Sequence, residues 1–167
     1  ESQWSKPIAA RSAAPVCTVG LGAGNDWRAE AVRVIPDGVV FEVVGAMSGE
    51  YRLGLLGRHQ VTNALLAMAV ATELGVPEEI VRVGLAECRP PQRRLQLSEV
   101  KGVRILDDAY NANVDSVNAS LGVLADLPCE GRRIVVLGSM AELGEGTRAA
   151  HEEVGQGAAA LGIDILM

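Results

Sequence analysis

Apolar and polar positions change their period twice along this chain. Three short runs rich in β-branched residues, at 16–20, 31–34 and 39–44, are separated by the turn-forming stretches Gly24-Asn25-Asp26 and Pro36-Asp37-Gly38. That pattern predicts a β-rich opening. Residues 61–74 are then apolar on nearly every side, and Gly75 follows where a helix closes on a left-handed residue. A buried helix is expected there. Pro77 predicts the first position of another helix running to about Cys88, with Glu78 and Glu79 in its first turn against the positive end of its dipole.

A break in composition follows at Arg89-Pro90-Pro91-Gln92-Arg93-Arg94, which divides the chain into expected domains at 1–92 and 93–167. Beyond it strands are expected at 103–106, 134–137 and 163–167. Helices are expected at 116–127, with Val117, Leu121 and Leu124 on one face, and at 147–161. Strands alternating with helices imply consecutive βαβ units and a parallel sheet, so the fold class is α/β. The series stops at its third strand, whereas such a sheet normally needs more elements to cover both faces. The chain also starts without Met. Both ends therefore read as cut from something longer.

Composition narrows the function classes. With 167 residues, 49% hydrophobic and 22% charged, the chain is globular and long enough to bury a sizeable core. Its few aromatics, Trp4, Trp27, Phe41, Tyr51 and Tyr110, leave that core to aliphatic residues and offer little stacking surface for bases. A net charge of −6 argues against nucleic acid as a partner. Cys17, Cys88 and Cys129 are far apart and form no CxxC pair, which argues for reduced thiols and against a zinc site. Glu73 interrupts the longest apolar run, and residues 1–14 carry no hydrophobic signal segment. The expectation is a cytoplasmic protein without a membrane span. The exposed edges of an incomplete sheet would favour association between copies.

Two segments could carry chemistry. Leu106-Asp107-Asp108-Ala109-Tyr110-Asn111-Ala112-Asn113 gathers two carboxylates and two amides at the carboxyl end of an expected parallel strand, where open α/β sheets bind ligands. The plainer alternative is turn chemistry, with Asp115 or Ser116 capping the next helix and Asn111 or Asn113 shaping the turn. In Gly57-Arg58-His59-Gln60-Val61-Thr62-Asn63, the informative residue is Asn63. An amide inside an apolar helix needs partners, and these are either the edge of an adenine or a neighbouring backbone. Arg93-Arg94 could pair with phosphate or be solvated linker charge. Gly138-Ser139-Met140-Ala141-Glu142-Leu143-Gly144 follows a strand but matches neither GxGxxG nor GxxxxGK[ST]. The two histidines, His59 and His151, are too far apart in sequence for a local metal pair. Neither lysine, Lys6 nor Lys101, lies in a phosphate loop.

Taken in order, four segments resemble the Mur ligase superfamily. The stretch Leu56 to Ala64 resembles its GxHNxxN segment, with Gln60 in place of the first Asn, and Gln92-Arg93-Arg94-Leu95-Gln96 resembles GRLE, with Arg93 in place of Gly. Ile105 to Asn113 and the following residue resemble IDDSYNANP, with Ala109 for Ser and Val114 for Pro. Val136 to Glu145, followed by His151, resembles VLGDMxELGE and its downstream His, with Ser139 for Asp. Within the superfamily these segments favour the branch that adds D-alanyl-D-alanine to UDP-N-acetylmuramoyl-tripeptide. The DNPR segment of the branch adding diaminopimelate or lysine is absent.

The resemblance implies the end of a central ATPase domain followed by the start of a Rossmann-like C-terminal domain. It also implies a reaction in which ATP converts the tripeptide carboxylate into an acyl phosphate that the dipeptide amine then attacks. His59 and Asn63 would meet the adenine. Arg94 and Asp108 would serve the ribose and phosphates as the catalytic pair, and Tyr110, Asn111 and Asn113 would shape the substrate site. Domain closure about residues 90–95 would complete the site and expel water. The Mg²⁺ ligands, the phosphate loop and a carbamylated lysine would lie upstream, so the 167 residues alone are expected to be inactive. Two alternatives remain: another ligase of this superfamily, of the folylpolyglutamate or cyanophycin type, and a noncatalytic nucleotide-binding module.

Overall fold

A computed structural model describes residues 5–167, so Trp4 and the start of the 1–14 stretch lie outside the described residues. The chain divides into two compact units. One comprises the residues up to Gly54 together with Arg58–Cys88, and the other comprises Leu55–Gly57 together with Arg89–Met167.

The first unit is built on one sheet. After a short helix α1 (Ser5–Ala9), the strands β1 (Val19–Gly20), β2 (Trp27–Ile35), β3 (Gly38–Val44) and β4 (Gly49–Leu53) pair in chain order. β1 is parallel to β2, and the other pairs are antiparallel. Asp26 secures the β1–β2 link: its Oδ2 accepts the Thr18 N–H at 2.8 Å and the Thr18 hydroxyl at 2.7 Å. These bonds hold the Asp26 carboxyl below the usual carboxylate range. β1 covers only part of the expected 16–20 run, whereas β2 starts earlier than the 31–34 run. A register shift between Glu30 and Arg33, with Ala31 at φ +48°, breaks the alternation that marks a strand. β4 escaped the sequence reading because only Tyr51 and Leu53 of its residues point into the core. Gly38 is required by close approach, since a Cβ there would lie 2.1 Å from the Leu53 carbonyl oxygen.

Helix α2 (Gln60–Glu73) ends as its sequence predicts. Gly75 adopts φ +71°, its N–H bonds to the Thr72 carbonyl, and the Val76 N–H bonds to the Ala71 carbonyl, which is a Schellman closure. The expected all-round burial is corrected. Val61, Ala64, Leu65 and Met68 are buried, while Leu66 is 50% and Val70 59% exposed. The helix thus buries one stripe within the described residues. In helix α3 (Glu78–Glu87), Pro77 is the N-cap and not the first helical residue, because its ψ of 141° is extended. α3 packs on β4 through Glu78, whose Oε1 accepts the Tyr51 hydroxyl at 2.9 Å and the Arg82 Nε at 2.9 Å. The Arg82 guanidinium lies 3.8 Å from the centre of the Tyr51 ring.

The second unit opens with a hairpin that was not expected. β5 (Gln96–Val100) and β6 (Val103–Asp107) are antiparallel, joined by Lys101 and Gly102 with φ values of +51° and +78°. Positive φ at both residues is the two-residue turn that suits a twisted hairpin. Helix α4 (Val114–Asp126), strand β7 (Ile134–Val135), a single 3-10 turn at Gly144–Gly146, helix α5 (Thr147–Ala160) and strand β8 (Ile165–Leu166) follow. β7 and β8 are parallel, with Ile134 opposite Ile165, so this pair and α5 form the βαβ unit. β6 pairs in its ladder with β5, not with β7, and the acidic segment therefore follows an antiparallel strand.

Val117 and Leu121 of α4 form a core with Val135, Met140, Val154 and Ala158, against which Leu124 packs half-buried. A second cluster joins Leu56, Leu95, Val123 and Leu127. Arg133 closes the C-terminal end of α4, donating to the carbonyls of Leu124, Ala125 and Leu127 at 3.1 to 3.3 Å. A cation placed there also complements the helix dipole.

Candidate functional site

In the first unit the polar cluster sits on the first turn of α2. His59 is the N-cap residue, with no side-chain cap bond. The Asn63 amide nitrogen donates to the Gln60 Oε1 at 2.9 Å, and the Gln60 amide nitrogen lies 3.1 Å from the His59 Nε2. Asn63 is exposed, correcting its expected place inside a buried stretch. A first-turn residue on the outer face needs no buried partner, so its amide edge is available at the surface while one hydrogen is held by Gln60.

In the second unit the two segments flanking the β5–β6 hairpin come together. The Arg94 guanidinium lies over the Tyr110 ring at 4.1 Å from its centre, and both residues are exposed. The Tyr110 N–H donates to the Arg93 carbonyl at 3.1 Å. Asp108 is half-buried, and its Oδ1 accepts the Leu95 N–H at 3.1 Å while its Oδ2 accepts the Ser120 hydroxyl. Asp107 closes its own turn, accepting the Ala109 N–H at 3.0 Å. The Asn111 side-chain Oδ1 accepts the Ala112 N–H at 2.8 Å.

Asn113 is the N-cap of α4. Its side chain accepts the Ser116 N–H at 2.8 Å, and the Ser116 hydroxyl oxygen accepts the Asn113 N–H at 3.0 Å, a reciprocal capping box. The plainer alternative of Asp115 or Ser116 as the cap is corrected to Asn113 as the N-cap, with Ser116 as its reciprocal partner. Arg94, Asp108, Tyr110, Asn111 and Asn113 all belong to this unit, whereas His59 and Asn63 belong to the other.

His151 has a defined task. Its Nε2 accepts the Met140 N–H at 3.1 Å, and its Nδ1 lies 2.7 Å from the Thr147 carbonyl. Since an N–H can only donate, the proton sits on Nδ1 and the ring ties the 138–144 loop to α5. Ser120 and Arg133 escaped the sequence reading. Both act through backbone or side-chain geometry, for which no motif or period gives a signal. Among the described residues no group of three or more His, Cys, Asp or Glu is arranged to hold a metal ion.

Comparison with known proteins agrees with the segment order. Residues 2–71 match the Mur ligase middle domain, and residues 93–167 match the Mur ligase, glutamate ligase domain. The chain is 38% identical over 144 residues to the UDP-N-acetylmuramoyl-tripeptide--D-alanyl-D-alanine ligase of Escherichia coli, covering 85% of this chain and 31% of that protein. It is 47% identical over 124 residues to the ligase of the same name from Mycobacterium bovis, covering 71% of this chain and 24% of that protein. The chain thus spans about a quarter to a third of the length of these relatives. Its fold is similar to MurF from Acinetobacter baumannii with a TM-score of 0.91 at 28% identity, covering 99% of this chain and 36% of that one. With matching domains on both sides of the 89–92 stretch, the chain belongs to the Mur ligase family.

Proposed function

We propose that these residues form the nucleotide- and acceptor-facing stretch of an ATP-dependent ligase that joins D-alanyl-D-alanine to UDP-N-acetylmuramoyl-tripeptide in peptidoglycan precursor synthesis. Residues 1–92 would be the later part of its middle domain, and 93–167 the first part of its C-terminal domain. One observation carries the reading. Arg94, Tyr110 and Asp108 gather beside the β5–β6 hairpin in a chain whose relatives bearing this name share 38% and 47% identity with it. A folylpolyglutamate-type ligase shares the fold at 17% identity, well below those two values.

In the proposed reaction a carboxylate oxygen of the tripeptide attacks the γ-phosphorus of ATP and ADP leaves. The amine of D-alanyl-D-alanine then attacks the acyl carbon, loses a proton, and expels phosphate. Charge builds on phosphoryl oxygens, so a guanidinium held in place contributes electrostatic stabilisation. Arg94 has that part, with Asp108 on the ribose side. Asn63, with His59 beside it, meets the adenine. Tyr110, Asn111 and Asn113 line the acceptor site. Mg²⁺ would serve the same phosphates, and the described residues include no group of three or more His, Cys, Asp or Glu arranged to hold it.

A reaction consuming ATP and nucleotide sugars belongs in the cytoplasm. No helix among the described residues is long and apolar enough to cross a membrane, and Cys17, Cys88 and Cys129 are free thiols. No GxxxxGK[ST] loop occurs in the 167 residues, so the isolated chain should release no phosphate from ATP when D-alanyl-D-alanine is added.

The test is a titration with millimolar ADP followed through backbone amide resonances. The expected result is saturable shifts at 60–64 and at 93–96 and 108–111, with affinity falling about tenfold in Asn63→Ala, the worth of one good hydrogen bond. Shifts confined to other residues, or an affinity indifferent to Asn63→Ala, would contradict the assignment.

A further inference from the structure

The turn that carries Arg94 is strained on both sides of it. Arg93 has φ +57° and Leu95 φ +49°, the left-handed region that residues bearing a Cβ rarely adopt. Such a conformation persists only where its surroundings over-determine it. Here they do. The Arg93 N–H donates to the Gln96 Oε1 at 2.9 Å, the Arg93 carbonyl accepts from Tyr110, and the Leu95 side chain is buried with Leu56, Val123 and Leu127.

The remaining tie is Asp108, whose Oδ1 takes the Leu95 N–H and whose Oδ2 takes the Ser120 hydroxyl from α4. The Ser120 hydroxyl also lies 2.9 Å from the Ser116 carbonyl. It has one proton and two acceptors, so the bond to Asp108 can be made or released without moving the helix.

We infer that Ser120, on α4, and Asp108 are positioning residues for Arg94: together they hold the strained turn at 93–95, so that the guanidinium lies over the Tyr110 ring and is offered to an anionic oxygen. What they position Arg94 for rests on the phosphate role proposed above, but the relay itself does not. A fixed guanidinium fork loses less freedom on meeting a phosphate than a mobile one.

The experiment follows two signals in the whole chain, the Arg94 Nε–H resonance and hydrogen exchange at the Leu95 amide, with pyrophosphate as the anionic probe. Ser120→Ala is expected to speed Leu95 exchange about threefold and Asp108→Ala about tenfold, since the first loosens the acceptor and the second removes it. Both variants should move the Arg94 resonance toward its position in Tyr110→Leu, where stacking is lost. Ser120→Thr, which keeps the hydroxyl, should restore both signals. If Ser120→Ala only lowers the melting temperature and speeds exchange throughout α4, with the Arg94 resonance unmoved, the relay is overturned. If the relay signals behave as expected but pyrophosphate leaves the wild-type Arg94 resonance unshifted, the phosphate role fails and the positioning role stands.

Discussion

Tyr51 shows how much a single buried polar group can decide in this chain. Its ring stacks near Phe41 and under Arg82, and its hydroxyl donates to Glu78. Burial and the Glu78 bond push its pKa up to about 12. A raised pKa stabilises the fold while the group stays protonated in both states. That contribution is full below the ordinary value of 10.0 and lost as pH rises through about 12. Glu78 is shifted the opposite way, held low by its bonds from Arg82 and Tyr51, so its contribution is present above 4.5 and lost as pH falls. Urea midpoints should therefore separate wild type from Tyr51→Phe by about 1 kcal/mol at neutral pH. That gap should close between pH 10.0 and about 12. A gap that widens with alkali would contradict the assignment. Gly38→Ala is a second expectation at this scale. The added carbon meets backbone, which cannot swing away, so a loss of about 2 to 4 kcal/mol is expected in the same melts. A variant as stable as wild type would show that the β3–β4 edge relaxes freely.

Helices were more legible in the sequence than strands, for physical reasons visible in particular elements. α2, α3, α4 and α5 carry apolar residues at helical spacing over ten or more positions, and Gly75 marks the end of α2 through its left-handed φ. β5 has a largely polar sequence with its last four residues exposed, and β1 and β8 are two residues each, too short for alternation to register. Of the candidate site, residue types and order were legible. The Asn113 cap and the Ser120 bond were not, because they depend on how the loop between β6 and α4 folds back beside the β5–β6 hairpin. Arg133 belongs to the same class of hidden contact. Replacing it with Met keeps the stem but removes three donors from the end of α4. This should destabilise the second unit by about 1 to 2 kcal/mol and speed amide exchange in the last turn of that helix. Unchanged exchange there would mean that water replaces the guanidinium without loss.

Across the whole molecule, the second unit buries an aliphatic core, whereas the first, against the expectation from its few aromatics, also buries Trp27, Phe41 and Tyr51, and both leave apolar side chains in solvent. Leu66 and Val70 on α2 and Leu74 at its C-cap are at least half exposed, and Val103 and Val136 are exposed in the second unit. Surfaces of that kind favour association, and light scattering of the isolated chain should report species larger than a monomer. A monodisperse monomer would contradict that expectation. The central claim, that these residues serve an ATP-dependent joining of D-alanyl-D-alanine, is tested most directly by chemistry. The 144-residue matching stretch of the Escherichia coli ligase would be exchanged for this one, and the pentapeptide product followed by mass spectrometry in wild-type and Arg94→Ala forms. The account predicts ATP-dependent product from the folded chimera and a loss of at least about 100-fold with Arg94→Ala, the scale at which a charge-stabilising donor acts. A folded chimera that makes no product, or one indifferent to the loss of Arg94, would contradict it.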